Sequence, residues 1–219
     1  MDVIKYSDSR EVVRVFTEQA FKDVCRAMLY ASEKHSGQKR KGSDEPYIVH
    51  PIEVSWILSD IAISETDASK LMMAGLLHDV VEDCNVSMDE IISEFGCYVG
   101  NLVSSNTEDK SLSWEERKEH TIKSIPMKSY DAIRLLFADK LSNLRSIKRD
   151  YDELGEELWK RFNRGRSHQS WYYVNVYREI VKALSNTNIN EKYEAYLSEY
   201  RDLLIYVFPE RYSIEIEED

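Results

Sequence analysis

The run Leu76-Leu77-His78-Asp79-Val80-Val81-Glu82-Asp83 sets an adjacent His-Asp pair four residues ahead of a Glu-Asp pair. Residues four apart on a helix share a face, so the spacing predicts His78 beside Glu82 and Asp79 beside Asp83. Leu71, Ala74, Leu77 and Val81 form a packing stripe, which puts the polar groups at the border of a core. Two more polar residues stand out. His50 precedes Pro51 at a predicted helix entrance, from which a side chain can reach a cleft. Asp139 lies inside the apolar run 132–144, with Asn143 one turn on. A buried carboxylate is costly unless it is paired, hydrogen-bonded or metal-bound. Together His50, His78, Asp79 and Asp139 offer two nitrogen and two oxygen donors from three elements. That set suits Mn²⁺, Fe²⁺ or Zn²⁺, with positions left for water and substrate. Glu82 and Asp83 would then handle protons, activating water or protonating a leaving group; a solvated helix end is the plain alternative.

The elements that must position these residues read as helices throughout. Apolar positions at three- and four-residue spacing predict helices over 9–34 (Ser9 as N-cap), 52–61, 66–81, 98–104, 130–149, 169–184 and 191–208. Ser87 with Glu90 and Ser113 with Glu116 have capping-box spacing and open two more, ending at Gly96 and before Pro126. Another helix carrying Leu158, Trp159 and Phe162 lies between Gly155 and Gly165. Glu82 and Asp83 close the 66–81 helix with negative charge at the wrong end of its dipole, a penalty that a cation would relieve. The fold class is all-α, a compact multi-helix bundle with room for one short hairpin.

Composition narrows the function classes. The formal net charge of −11 argues against broad binding to nucleic acid or an anionic membrane, so an anionic substrate must be met by local basic groups such as the loop Gln38-Lys39-Arg40-Lys41. No apolar run approaches the roughly 20 residues that span a bilayer, and residues 1–10 show no secretory signal. Cys25, Cys84 and Cys97 are odd in number and lack metal-like pairing, as in reduced thiols of a cytoplasmic protein.

The order His50, His78-Asp79, Asp139 resembles the HD-domain metal-dependent phosphohydrolases, and most closely the hydrolase domain of RelA/SpoT-type alarmone enzymes and their stand-alone small relatives. The resemblance rests on Pro46-Tyr47-Ile48-Val49-His50-Pro51, Ala74-Gly75-Leu76-Leu77-His78-Asp79-Val80-Val81-Glu82-Asp83, Glu94-Phe95-Gly96, Thr107-Glu108-Asp109-Lys110 and Ala138-Asp139-Lys140-Leu141-Ser142-Asn143-Leu144-Arg145. It covers roughly residues 21–184. It implies an HD-type domain over 1–184, with a C-terminal helix and acidic tail over 185–219 packed on it or extending from it. It also implies Mn²⁺ at His50, His78, Asp79 and Asp139, and catalytic acids at Glu82 and Asp83. The implied reaction hydrolyses the 3′-pyrophosphate of guanosine tetra- and pentaphosphate (ppGpp, pppGpp) and releases pyrophosphate.

The same resemblance implies nucleotide contacts from Arg40, Lys41, Lys110, Asn143 and Tyr173. Surface charge is an equal reading of the three basic residues, a bracing amide of Asn143, and core packing is the favoured reading of Tyr173. Two departures bear on substrate fit: Lys140 replaces the family's arginine after the metal Asp, and Ser142 its histidine before the Asn. Other phosphate esters, or a nucleotide sensor with weak catalysis, stay open as alternatives. So does a homodimer through the aromatic C-terminal helix.

Overall fold

Helix starts in this chain are written by short polar side chains. Thr17, Ser64, Ser87, Ser113, Ser129 and Asn190 each accept a hydrogen bond from the backbone N–H three residues on, which satisfies a donor that a helix N-terminus leaves open. The computed structural model describes residues 17–209. Its helices are α1 (Glu18–Lys34), α2 (Val49–Ile61), α3 (Glu65–Leu77), α4 (Val80–Asp83) and α5 (Met88–Phe95). They continue with α6 (Cys97–Asn106), α7 (Trp114–Ser124), α8 (Tyr130–Leu154), α9 (Arg166–Leu184) and α10 (Glu191–Val207). Two 3-10 segments, Ile125–Met127 and Gly155–Arg161, precede α8 and α9. No strand occurs among the described residues; the expected hairpin reduces to one isolated antiparallel bridge, Lys39 to Pro46.

The fold class is all-α, and α8 runs through its centre. Leu135, Phe137, Ala138, Leu141 and Leu144 of α8 are fully buried. α2 packs on α3 and α8, α3 on α1 and α6, and α10 on α8 and α2. Tyr193 and Tyr200 of α10 set their rings against Phe137, at 4.9 and 5.8 Å between centroids. The aromatic stripe of α10 therefore covers the chain's own core. α2 and α3 approach closely at Gly75, where a Cβ would stand 2.8 Å from Leu58 Cδ1 and 3.1 Å from Ser55 backbone atoms. No described helix is long and apolar enough to cross a membrane.

Several boundaries differ from the sequence expectation. α1 is capped by Thr17 rather than Ser9, which lies outside the described residues, and its buried positions are Ala27 and Ala31 while Met28 faces outward. α2 starts at Val49, so His50 and Pro51 sit in its first turn; proline fits there because first-turn N–H groups have no helical acceptor. The Ser87 capping box is only half made, because the Glu90 carboxylate turns to the Tyr30 hydroxyl and Lys34. The Ser113–Glu116 box is complete. In the segment between Gly155 and Gly165, Gly155–Arg161 winds as 3-10 rather than α-helix and 162–165 are irregular.

The expected 66–81 helix is broken. α3 ends at Leu77, and His78 and Asp79 form a turn before the four-residue α4. Glu82 and Asp83 thus belong to a short helix of their own, and no long dipole ends on them.

Candidate active site

In an unbroken helix, adjacent side chains diverge by about 100°. The turn at 78–79 removes that constraint, and His78 Nε2 lies 3.0 Å from Asp79 Oδ2. His50, from the first turn of α2, places Nε2 3.6 Å from Asp79 Oδ2 and 3.3 Å from Asp139 Oδ1. Asp139 comes from the middle of α8, its Oδ1 3.8 Å from His78 Nε2. One donor atom each from His50, His78 and Asp139 lies within 4.8 Å of the others, and Asp79 Oδ2 stands beside the two histidines, outside that group of three. Sequence alone placed His78 with Glu82 and Asp79 with Asp83; the structure instead pairs His78 with Asp79 and sets His50 and Asp139 beside His78.

The tautomers follow from the outer partners. His78 Nδ1 stands 2.7 Å from the Gly75 carbonyl, an acceptor only, so Nδ1 carries a proton and, in the neutral ring, Nε2 presents a lone pair. That Nε2 is buried and has no hydrogen-bond partner, since the approach to Asp79 lacks hydrogen-bond alignment. His50 Nδ1 meets Ser142 Oγ at 2.9 Å, and Ser142 donates its one proton to Glu53 Oε2 at 2.7 Å. The serine must therefore accept from His50, whose Nε2 also offers a lone pair inward. Glu53 is held in turn by Arg145, which α10 anchors through Glu199. Two imidazole lone pairs facing two carboxylates make an arrangement that a divalent cation completes. Burial alone would raise the pKa of the Asp79 and Asp139 carboxyls. In the metal-free protein the facing His78, itself pushed up to about 9 by Asp79 against the effect of burial and so charged, outweighs it for Asp79, and the adjacent Lys140 for Asp139. Both carboxyls are held below the ordinary carboxylate range.

A cleft of about 290 Å³ opens beside the cluster, lined among others by Asp79, Glu82, Asp83, Lys110, Asp139 and Asn143. Burial raises the Glu82 carboxyl above the usual glutamate range, and one of its oxygens accepts the Glu108 N–H at 2.7 Å. Asp83 is paired with Lys110 at 2.7 Å, and the same ammonium donates to the Glu82 carbonyl. Asn143 donates to Asp139 Oδ1 at 2.6 Å and accepts from Arg40 at 2.9 Å. Lys110 and Asn143 thus line the cleft, and Arg40 stands behind Asn143 without lining it. Lys41 lies outside it, exposed, its ammonium over the Phe162 ring. Tyr173 is buried in an aromatic layer with Tyr172 and Phe208, away from the cleft lining.

Sequence reading missed several members. Tyr47 donates its hydroxyl to Asp79 Oδ2 at 2.6 Å, and burial, then Asp79, pushes its pKa upward. Glu53 is three residues after His50, a one-turn spacing that could have drawn notice once His50 was placed on the helix. Glu108 joins the connector to Arg117 and Lys118 of α7, neither of which the sequence singled out.

The HD domain family model matches residues 27–166. The chain belongs to the HD-domain family. Among its HD-domain relatives, guanosine-3′,5′-bis(diphosphate) 3′-pyrophosphohydrolase MESH1 of Xenopus tropicalis is 38% identical over 167 residues, covering 75% of this chain and 86% of that one. The crystal structure of lmo0812 from Listeria monocytogenes superposes with a TM-score of 0.64 at 35% identity, covering 74% of this chain and 99% of that one. A metazoan ortholog of SpoT that hydrolyses ppGpp gives a TM-score of 0.62 at 33% identity, covering 81% and 93%.

Proposed function

We propose that this HD-domain chain is a metal-dependent phosphohydrolase that converts guanosine tetra- and pentaphosphate to GDP and GTP, releasing the 3′-diphosphate as pyrophosphate. The observation that carries this reading is the buried, unpartnered His78 Nε2, facing His50, Asp79 and Asp139 beside a cleft with an acidic pair. Two of the relatives, MESH1 of Xenopus tropicalis and the metazoan ortholog of SpoT, carry that activity in their names.

His50, His78, Asp79 and Asp139 would hold the cation, and a set of two nitrogens and two oxygens suits Mn²⁺. Such an ion, when bound, acidifies water and draws charge from a phosphoryl oxygen. The reaction joins a water oxygen to the inner phosphorus of the 3′-diphosphate as the bond to the ribose 3′-oxygen breaks. One water proton must be taken up, and one proton delivered to the 3′-oxygen. Glu82 is suited to deliver it: burial keeps a proton on its carboxyl to higher pH than on an exposed glutamate, and the Glu108 N–H fixes its direction. Asp83, held as an ion pair by Lys110, is the acceptor for the proton from water. Arg40 and Asn143, bonded to each other next to Asp139, would meet the nucleoside. The three free cysteines fit a reducing cytoplasm.

A panel of phosphate esters with Mn²⁺, Mg²⁺ and Zn²⁺ tests the assignment. Release of pyrophosphate from guanosine tetraphosphate is expected. Turnover of other nucleotides in its place would move the activity to another phosphate ester, and binding without turnover of any ester would make the chain a sensor.

A further inference from the structure

Arg117 and Lys118 of α7 and Lys140 of α8 line the same cleft as the acidic pair, but on a more buried side. Lys118 and Lys140 are only 16% and 13% exposed, against 50% for Lys110 at the Asp83 wall. The carboxylates they meet are too few. Glu108 serves both Arg117, at 3.1 Å, and Lys118, at 2.7 Å. Lys140 rests on Asp139 Oδ2 at 2.6 Å, the carboxylate that a cation would claim. With Asp139 given to the cation, three basic groups face one carboxylate. The Tyr172 ring lies within cation–π distance of both ammonium groups, 4.7 Å from Lys118 and 5.6 Å from Lys140, which brings the two like charges to one spot. Arg117 Nε is buried with no hydrogen-bond partner. Burial and the like charge of Lys140 push the Lys118 ammonium below the ordinary lysine range. Buried positive charge in excess of its partners calls for an anion.

We propose that Arg117, Lys118 and Lys140, gathered around Glu108 between α7 and α8, form an anion subsite that receives the departing pyrophosphate. The assignment rests on the pyrophosphohydrolase reading for the identity of the anion. Its logic is that of a pocket for the transferred group. The diphosphate passes from the ribose 3′-oxygen to water and is released as pyrophosphate, which carries more negative charge than the esterified diphosphate, and fixed cations there hold the group in place. Glu108 has a second part. Its backbone orients Glu82 while its carboxylate keeps Arg117 and Lys118 in place between turnovers, so it competes with the incoming anion.

Titration calorimetry of Mn²⁺-loaded protein with inorganic pyrophosphate tests this. Lys118→Met should weaken pyrophosphate binding about tenfold or more, the size of a lost charge-assisted hydrogen bond, and Lys118→Arg should restore most of it. Glu108→Gln should tighten it, a sign that a purely structural partner would not produce. Mn²⁺ affinity and melting temperature of Lys118→Met, measured alongside, should hold. Unchanged pyrophosphate affinity in Lys118→Met, a parallel loss of Mn²⁺ affinity, or weaker binding in Glu108→Gln would overturn the subsite. Should Lys118→Met not fold, Arg117→Gln and the sign of the Glu108→Gln effect decide. A wild type inert toward guanosine tetraphosphate, with pyrophosphate affinity that still depends on Lys118, would keep the subsite and remove the nucleotide reading. Turnover of the nucleotide with Lys118 irrelevant to pyrophosphate would do the reverse.

Discussion

Ser142 stands 2.9 Å from His50 Nδ1 and passes its own proton to Glu53, so one hydroxyl fixes which nitrogen of His50 faces the cluster. Outer partners of this kind commonly change metal affinity by about 10- to 100-fold when removed. Ser142→Ala is expected to weaken Mn²⁺ binding by that order while leaving the fold intact. A metal titration checks it, and unchanged affinity would mean that packing alone orients the ring.

Gly75 joins packing to the same centre. An alanine Cβ would meet Leu58, itself fully buried, and the α2 backbone at Ser55, so the two helices must part. Overpacking of this sort costs about 1–3 kcal/mol. The Gly75 carbonyl also holds His78 Nδ1, so Gly75→Ala should lower both the melting temperature and Mn²⁺ affinity. Thermal unfolding and metal titration on one sample would show the two losses together.

Arg134 of α8 is almost wholly buried and binds Asp67 through two nitrogens, at 2.7 and 2.8 Å, with Asp131 as a further partner. Asp67→Ala leaves much of that charge unmet, and breaking a buried pair costs about 3–5 kcal/mol. Denaturant unfolding should report a loss of that size. A change under about 1 kcal/mol, the range of exposed pairs, would show that water replaces the carboxylate.

Glu82 sets the expected pH dependence. A proton donor works only while protonated, and burial moves the Glu82 carboxyl upward. Turnover should therefore fall as pH rises through this raised value, at higher pH than an exposed glutamate would dictate. Glu82→Gln should reduce kcat about 10²–10⁴-fold and flatten that limb. A profile with the same alkaline fall in Glu82→Gln would assign the donor elsewhere.

The four proposed ligands drew notice in the sequence for separate local reasons: Asp139 lay inside an apolar run, His78 and Asp79 closed another, and His50 preceded a proline at a helix entrance. The caps at Ser87 and Ser113 were legible because capping is short-range chemistry. What connects distant segments was not. The break at His78-Asp79 has no proline or glycine to announce it, and it decides which side chains meet. Ser142 and Glu53 are 89 residues apart, and nothing in either segment names the other. Nor did any local signal single out Arg117 and Lys118, whose shared partner Glu108 lies outside their own helix.

The most direct measurement is pyrophosphate release from guanosine tetraphosphate by Mn²⁺-loaded wild type and Asp139→Ala, with and without EDTA. Release by the wild type that EDTA abolishes, and a loss of about 10³-fold or more in Asp139→Ala at intact fold, is the expected result. Full turnover by Asp139→Ala, or by wild type in excess EDTA, would contradict a metal centre at His50, His78, Asp79 and Asp139.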